Sequence, residues 1–116
     1  MPAEKRTYRV AVIGHTGRGD YGHGLDICWL GVDRAKVVAV ADADKMGLAA
    51  AARRLSLDTS ASYVDYRKML DEAKPDVVSV CPRWLDQHHA MVMAAIERGV
   101  HVYMEKPFCR TLAEAD

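Results

Sequence analysis

Tyr8-Arg9-Val10-Ala11-Val12-Ile13 runs directly into Gly14-His15-Thr16-Gly17-Arg18-Gly19-Asp20-Tyr21-Gly22-His23-Gly24, and the reading of this stretch decides the fold. A short apolar run that stops at a glycine predicts a buried strand followed by a turn in which the backbone must move freely. Beyond the loop, Leu25, Cys28 and Trp29 recur at the i, i+3, i+4 spacing of a helix face, with Gly31 as its stop. Val37 to Ala41 is a second continuous apolar run, of the kind buried on both faces of a parallel sheet, and it ends at Asp42. Asp44 is placed to cap a helix running through Ala49–Ala52 to about Leu55; a short strand near Ala61 to Val64 and a helix over Tyr66 to Ala73 follow. Val77 to Val80 predicts a fourth strand, a helix after it ends at Gly99, and Val100 to Met104 predicts a fifth strand. Strands alternating with helices over short connections build right-handed βαβ units, so the fold class is α/β, a doubly wound parallel sheet of about five strands.

Composition agrees and excludes other classes. The 116 residues are 50% hydrophobic and 28% charged, enough to build one core and unlike a disordered or disulfide-stapled chain. Sixteen basic residues balance sixteen acidic ones, which argues against nucleic acid or a membrane surface as partner. The longest apolar stretch, Ala90 to Ile96, is far too short for a membrane span, and Met-Pro-Ala-Glu-Lys-Arg carries no secretory h-region, so a cytoplasmic location is expected. Cys28, Cys81 and Cys109 are odd in number and widely spaced; they are read as reduced, buried small residues, and no metal site is expected.

A strand, a glycine loop and a helix start together place unpaired N–H groups where a pyrophosphate can sit. Gly17-x-Gly19-x-x-Gly22 matches G-x-G-x-x-G, and Asp42 lies about twenty residues past Gly22, the separation of a carboxylate that grips the adenosine ribose. A second register starts at Gly14 and puts Thr16 in the middle glycine's place; the sequence leaves both open. An acid at the end of strand two repels a 2′-phosphate, so NAD is expected ahead of NADP. S-adenosylmethionine remains a competing nucleotide for the first two strands alone.

The second half of the chain separates these readings. Val100-His101-Val102-Tyr103-Met104-Glu105-Lys106-Pro107 resembles the hallmark segment of the Gfo/Idh/MocA oxidoreductase family, and Pro82 through His88 with its Ala-rich helix is similar to that family's proline-to-histidine segment. The resemblance covers essentially the whole chain as an N-terminal NAD(P)-binding Rossmann domain, residues 1–116, lacking the family's C-terminal substrate domain. It implies that Gly14, Gly17 and Gly19 line the pyrophosphate, with Thr16 and Arg18 among the cofactor contacts, that Asp42 holds the ribose, and that Pro82 and His88 border the cofactor, with the Trp84 indole either stacking on the cofactor or packing under the loop. It further implies that Lys106 is the active-site lysine beside nicotinamide and substrate, with Glu105 supporting it and sharing the cofactor contact. The whole protein is then expected to move a hydride to or from a hydroxyl-bearing carbon of a sugar or polyol; a non-enzymatic dinucleotide sensor is the alternative. Thr16, the longer loop and the Arg83-Trp84 pair depart from the family's usual pattern.

Several features carry simpler expectations. Met91, Met93, Ala94, Ala95 and Ile96 are read as the core face of a sheet-packing helix, and Arg53 and Arg54 as a solvated face. Thr111-Leu112-Ala113-Glu114 is a capping box at a helix start, which predicts that the chain stops short of a further domain. A fifth strand left at a sheet edge predicts self-association.

Overall fold

A computed structural model describes residues 6–116. Five strands, β1 (Tyr8–Ile13), β2 (Ala35–Ala41), β3 (Ser62–Tyr63), β4 (Val77–Val80) and β5 (His101–Met104), form one sheet in the order β3-β2-β1-β4-β5 with every pair parallel. Helices α1 (Lys45–Arg54), α2 (Tyr66–Ala73), α3 (His88–Glu97) and α4 (Leu112–Ala115) complete the doubly wound α/β fold. The strand order reverses between β1 and β4, so the crevice at their C-terminal ends is where such a sheet takes a ligand.

Alternation along β1 builds both layers. Ala11 and Ile13 face α2 and α3, packing with Met69, Leu70, Met91 and Ala95; Val10 and Val12 face α1, packing with Leu48, Ala51 and Leu55. Asp44 caps α1 by accepting the Gly47 N–H, and Asp65 caps α2 through the Arg67 N–H. Thr111 caps α4 through the Glu114 N–H, while the Glu114 carboxylate reaches back to the Arg110 N–H, one residue earlier than the reciprocal bond of a capping box.

The structure departs from the sequence reading in four places. The helix expected from Leu25 to Leu30 is instead two short 3₁₀ turns, Gly22–Gly24 and Ile27–Gly31, because His23 and Gly24 sit at positive φ and break the helical path. Leu25 and Trp29 still pack on the core, whereas Cys28 is exposed and only Cys81 of the three cysteines is buried. On α3 the buried face is His88, Met91, Ala94 and Ala95; Ile96 lies about a third of a turn and Met93 about half a turn from the centre of that stripe, and both are exposed. Arg54 is engaged, pairing with buried Asp26 and lying over the Tyr21 ring, while Arg53 is solvated. Strand β5 lies at a sheet edge. Among the described residues no helix is long and apolar enough to cross a membrane.

Candidate dinucleotide site

The glycine loop leaves β1 at Gly14, whose N–H still bonds to Ala41 of β2, and folds into a small hairpin closed by mutual bonds between His15 and Asp20. The Tyr21 ring fills the space where a Gly14 side chain would begin, which explains the glycine there. Gly17 is at φ +84° with open space above it. Gly19 is at φ +98°, and a Cβ on it would lie 2.5 Å from the backbone nitrogens of Arg83 and Trp84. A Cβ on Gly22 would collide with the Glu105 carboxylate. Glycine is thus required at Gly14, Gly19 and Gly22 by contact with the chain itself.

Those contacts bind the loop to the segment after β4. Arg83 donates its backbone N–H to the Gly19 carbonyl at 3.0 Å, and the Gly22 N–H reaches the Cys81 carbonyl at 2.8 Å. Arg18 pairs with Asp86 and lies 5.1 Å over the half-exposed Trp84 ring, and the Nδ1 of His15 lies 2.6 Å from Oε1 of Gln87. Arg83 also stands 3.6 Å from Asp20. Pro82 is buried beneath this layer. His88 is fully buried, with Nε2 2.6 Å from the Pro82 carbonyl and Nδ1 2.9 Å from the Pro107 carbonyl, so it braces the segments after β4 and β5 against each other.

Asp42 is the hub of the other side. Its carboxylate is 1% exposed and accepts bonds from the Thr16 N–H and hydroxyl, the Tyr21 hydroxyl and the Asp44 N–H. Four donors fill the lone pairs a carboxylate offers, so Thr16 in the middle-glycine position is locked to the end of β2 by its hydroxyl. Burial, then the charge of Asp42 and the bond to it, push the Tyr21 hydroxyl well above the usual phenol range, so it stays protonated and donating. Beside Asp42 a cleft of about 290 Å³ opens between Gly14, His15, Ala43, Val64, Tyr66 and Gln87.

Glu105 ties the far end of the loop to the lysine. It is 4% exposed; Oε1 accepts the Lys106 N–H at 2.8 Å, and Oε2 lies 2.6 Å from Nδ1 of His23. Burial alone would raise its pKa, but the bond from His23, the Lys106 N–H and the nearby positive charge outweigh it, and the carboxyl lies below its ordinary value of 4.5. A carboxylate depressed by folding contributes stability that is complete above 4.5 and lost as pH falls through the lower folded value. Melting curves taken from about pH 6 down to about pH 3 are expected to show this loss, and Glu105→Gln is expected to flatten that part of the profile. Lys106 itself is exposed, with no carboxylate in salt-bridge reach of its ammonium among the described residues.

The donor set fits a dinucleotide. Two successive loop amides, Thr16 and Gly17, already hold carboxylate oxygens, of Asp42 and Asp20, which shows the loop turning its N–H groups toward anionic acceptors. Residues the sequence did not single out, Asp20, Tyr21, His23, Asp86 and Gln87, make much of this frame. For Asp20, Tyr21 and His23 the signal was the extra loop length before Gly24.

Comparison with known proteins points the same way. The family described as "Oxidoreductase family, NAD-binding Rossmann fold" matches residues 8–116. D-apiose dehydrogenase of Paraburkholderia graminis is 33% identical over 87 residues, 75% of this chain and 22% of that protein. Glycosyl hydrolase family 109 protein 2 of Akkermansia muciniphila is 29% identical over 113 residues, 91% of this chain and 23% of its own. A solved oxidoreductase from Agrobacterium radiobacter, in complex with NAD+, L-tartaric acid and magnesium, has a TM-score of 0.81 at 23% identity, covering 94% of this chain and 30% of that one; the likeness is one of fold. The chain therefore spans less than a quarter of the length of these two curated relatives. With the switch-point crevice, the glycine loop and the Glu105-Lys106-Pro107 turn all on one edge of the sheet, and with the match running from β1 to the last residue, the chain belongs to the Gfo/Idh/MocA oxidoreductase family as its NAD(P)-binding Rossmann domain.

Proposed function

We propose that the chain is the cofactor-holding part of an enzyme that transfers a hydride between nicotinamide and a hydroxyl-bearing carbon of a sugar, polyol or related small molecule. The observation that carries this is the joint at Glu105: one buried carboxylate holds both the end of the glycine loop, through His23, and the backbone of Lys106. The cleft beside Asp42 would hold the adenosine half, the glycine loop would hold the diphosphate, and Pro82, Trp84 and Lys106 would border the nicotinamide. Asp42 serves this site chiefly by fixing Thr16 and Tyr21, since its lone pairs are already taken. NAD is favoured over NADP: Asp42 and Asp65 line the cleft against a single cation, Arg67.

When bound, the nicotinamide supplies the hydride acceptor or donor. The Lys106 ammonium, exposed next to that end, would donate a hydrogen bond to the substrate oxygen, orient it, and stabilise its negative charge, which grows as the C–H bond forms in the reduction direction and which, in the oxidation direction, is present once a base has taken the hydroxyl proton. The likeness to a protein named as a glycosyl hydrolase favours a second reading, in which the same oxidation of a sugar carbon serves glycoside cleavage. The longer protein, incubated with NAD and a panel of sugars, polyols and glycosides, separates the two: dehydrogenation accumulates reduced nicotinamide, and cleavage releases an aglycone with no net reduction. Neither product from any of the panel would overturn the enzyme reading.

A further inference from the structure

We propose that Asp20 is a resident anion of the glycine loop, occupying the Gly17 N–H and Arg83 that a diphosphate takes over, and so sets how tightly this chain holds a diphosphate-bearing ligand. This rests on the reading of the loop as the dinucleotide site. The Asp20 Oδ1 accepts the Gly17 N–H at 3.0 Å, and its Oδ2 stands 3.6 Å from the Arg83 guanidinium. A carboxylate oxygen and a phosphate oxygen are equivalent acceptors for one N–H, and both cannot use it at once.

The two carboxylates on the loop differ in how firmly they are held. Asp42 is buried under four donors, whereas the Asp20 and Arg83 side chains are 53% and 59% exposed, so Asp20 can swing out into water at little cost. Open space above Gly17 gives the incoming group room. Asp20 also holds a left-handed backbone, φ 51°, which a residue other than glycine adopts at some cost and which asparagine adopts as well as aspartate. Arg18 is parked in the same manner, on Asp86 and over Trp84. Two arginines thus flank the loop, each matched to an acid of this chain, and the charge of Asp20 opposes the charge of any diphosphate laid on Gly17.

Calorimetric titration of the intact chain with NAD, ADP-ribose and adenosine tests this. Asp20→Asn keeps the side chain's shape, its acceptor for Gly17 and its tolerance of positive φ, and removes only the charge. It is expected to tighten NAD and ADP-ribose by about three- to tenfold, the scale of one exposed charge pair, and to leave adenosine unchanged. Arg83→Gln is expected to weaken the same two ligands by a similar factor. Unchanged or weaker NAD binding in Asp20→Asn, or an equal gain for adenosine, would overturn the proposal while leaving the dinucleotide site standing. Failure of the unaltered chain to bind either diphosphate ligand at millimolar concentration would overturn the site itself.

Discussion

On the proposed function, Lys106→Ala in an enzyme that carries this chain is expected to lower kcat by about 10²–10³-fold, the loss typical of one charge-stabilising donor removed from a reacting oxygen. Its affinity for NAD is expected to change little, because Lys106 reaches the rest of this chain through its backbone: the N–H bonds to Glu105, and the side chain is exposed. The neighbouring frame survives the substitution. The Glu105 N–H bonds to Val80 at 2.8 Å, His88 holds the Pro107 carbonyl, and neither contact involves the lysine side chain. Lys106→Arg is expected to recover only part of the rate, since a flat guanidinium presents its donors differently from a compact ammonium. Steady-state kinetics that split kcat from KM, beside calorimetry for NAD, check both statements. A kcat within about tenfold of the unaltered enzyme would remove Lys106 from the chemistry.

Gly19→Ala is expected to be the most damaging single methyl that can be added to the loop. The new carbon would lie 2.5 Å from two backbone nitrogens, of Arg83 and Trp84, in a segment pinned by buried Pro82 and His88, so neither side has a flexible atom to yield. Its φ of +98° adds a backbone penalty. Overpacking and a left-handed non-glycine residue together cost about 2–5 kcal/mol. At that cost the melting temperature falls by roughly 10–20 °C for a domain near this size. The bond from the Arg83 N–H to Gly19 breaks first, which separates the glycine loop from the nicotinamide side and takes NAD affinity with it. Gly17→Ala is the control: it shares the positive φ but meets no atom within 4 Å, so its loss is smaller. Thermal melting of both variants beside NAD titration distinguishes collision from backbone strain; equal losses would mean that the close approach at Gly19 is not what requires glycine.

How far the sequence could be read differs from element to element, for physical reasons. The parallel sheet was legible because Val10–Ile13 and Val37–Ala41 are continuous apolar runs and Val77–Val80 is broken only by Ser79, the pattern of strands covered on both faces. Helix α1 was legible from its cap, Asp44, whereas the cap of α2, Asp65, was supplied only by the structure. The turn after the loop was misread as a helix since its i, i+3, i+4 pattern is genuine at Leu25 and Trp29, and periodicity does not report the positive φ of His23 and Gly24. Met93 and Ile96 read as core because hydrophobicity alone does not say which stripe of an apolar helix meets the sheet; His88 and Met91 mark that stripe.

The site was legible as a set of positions and much less as a set of contacts. Gly14, Gly19, Asp42, Pro82, His88 and Glu105 all gather at one edge of the sheet, but the bonds joining them run between residues far apart in the chain. Tyr21 reaches Asp42, His23 reaches Glu105, and Arg18 reaches Asp86. No local pattern encodes such pairs. For His23 the loop's extra length was the visible trace, because it lies beyond the last glycine of the motif in either register.

The most direct test of the central claim is a chemical-shift map of the isotope-labelled chain titrated with NAD. A dinucleotide lying across the C-terminal edge of the sheet is expected to move the amides of Thr16 to Gly19, Ala43, Arg83 to Trp84 and Lys106 together, with one dissociation constant. Shifts confined to residues away from that edge, or none at millimolar NAD, would contradict the assignment of this crevice as the cofactor site.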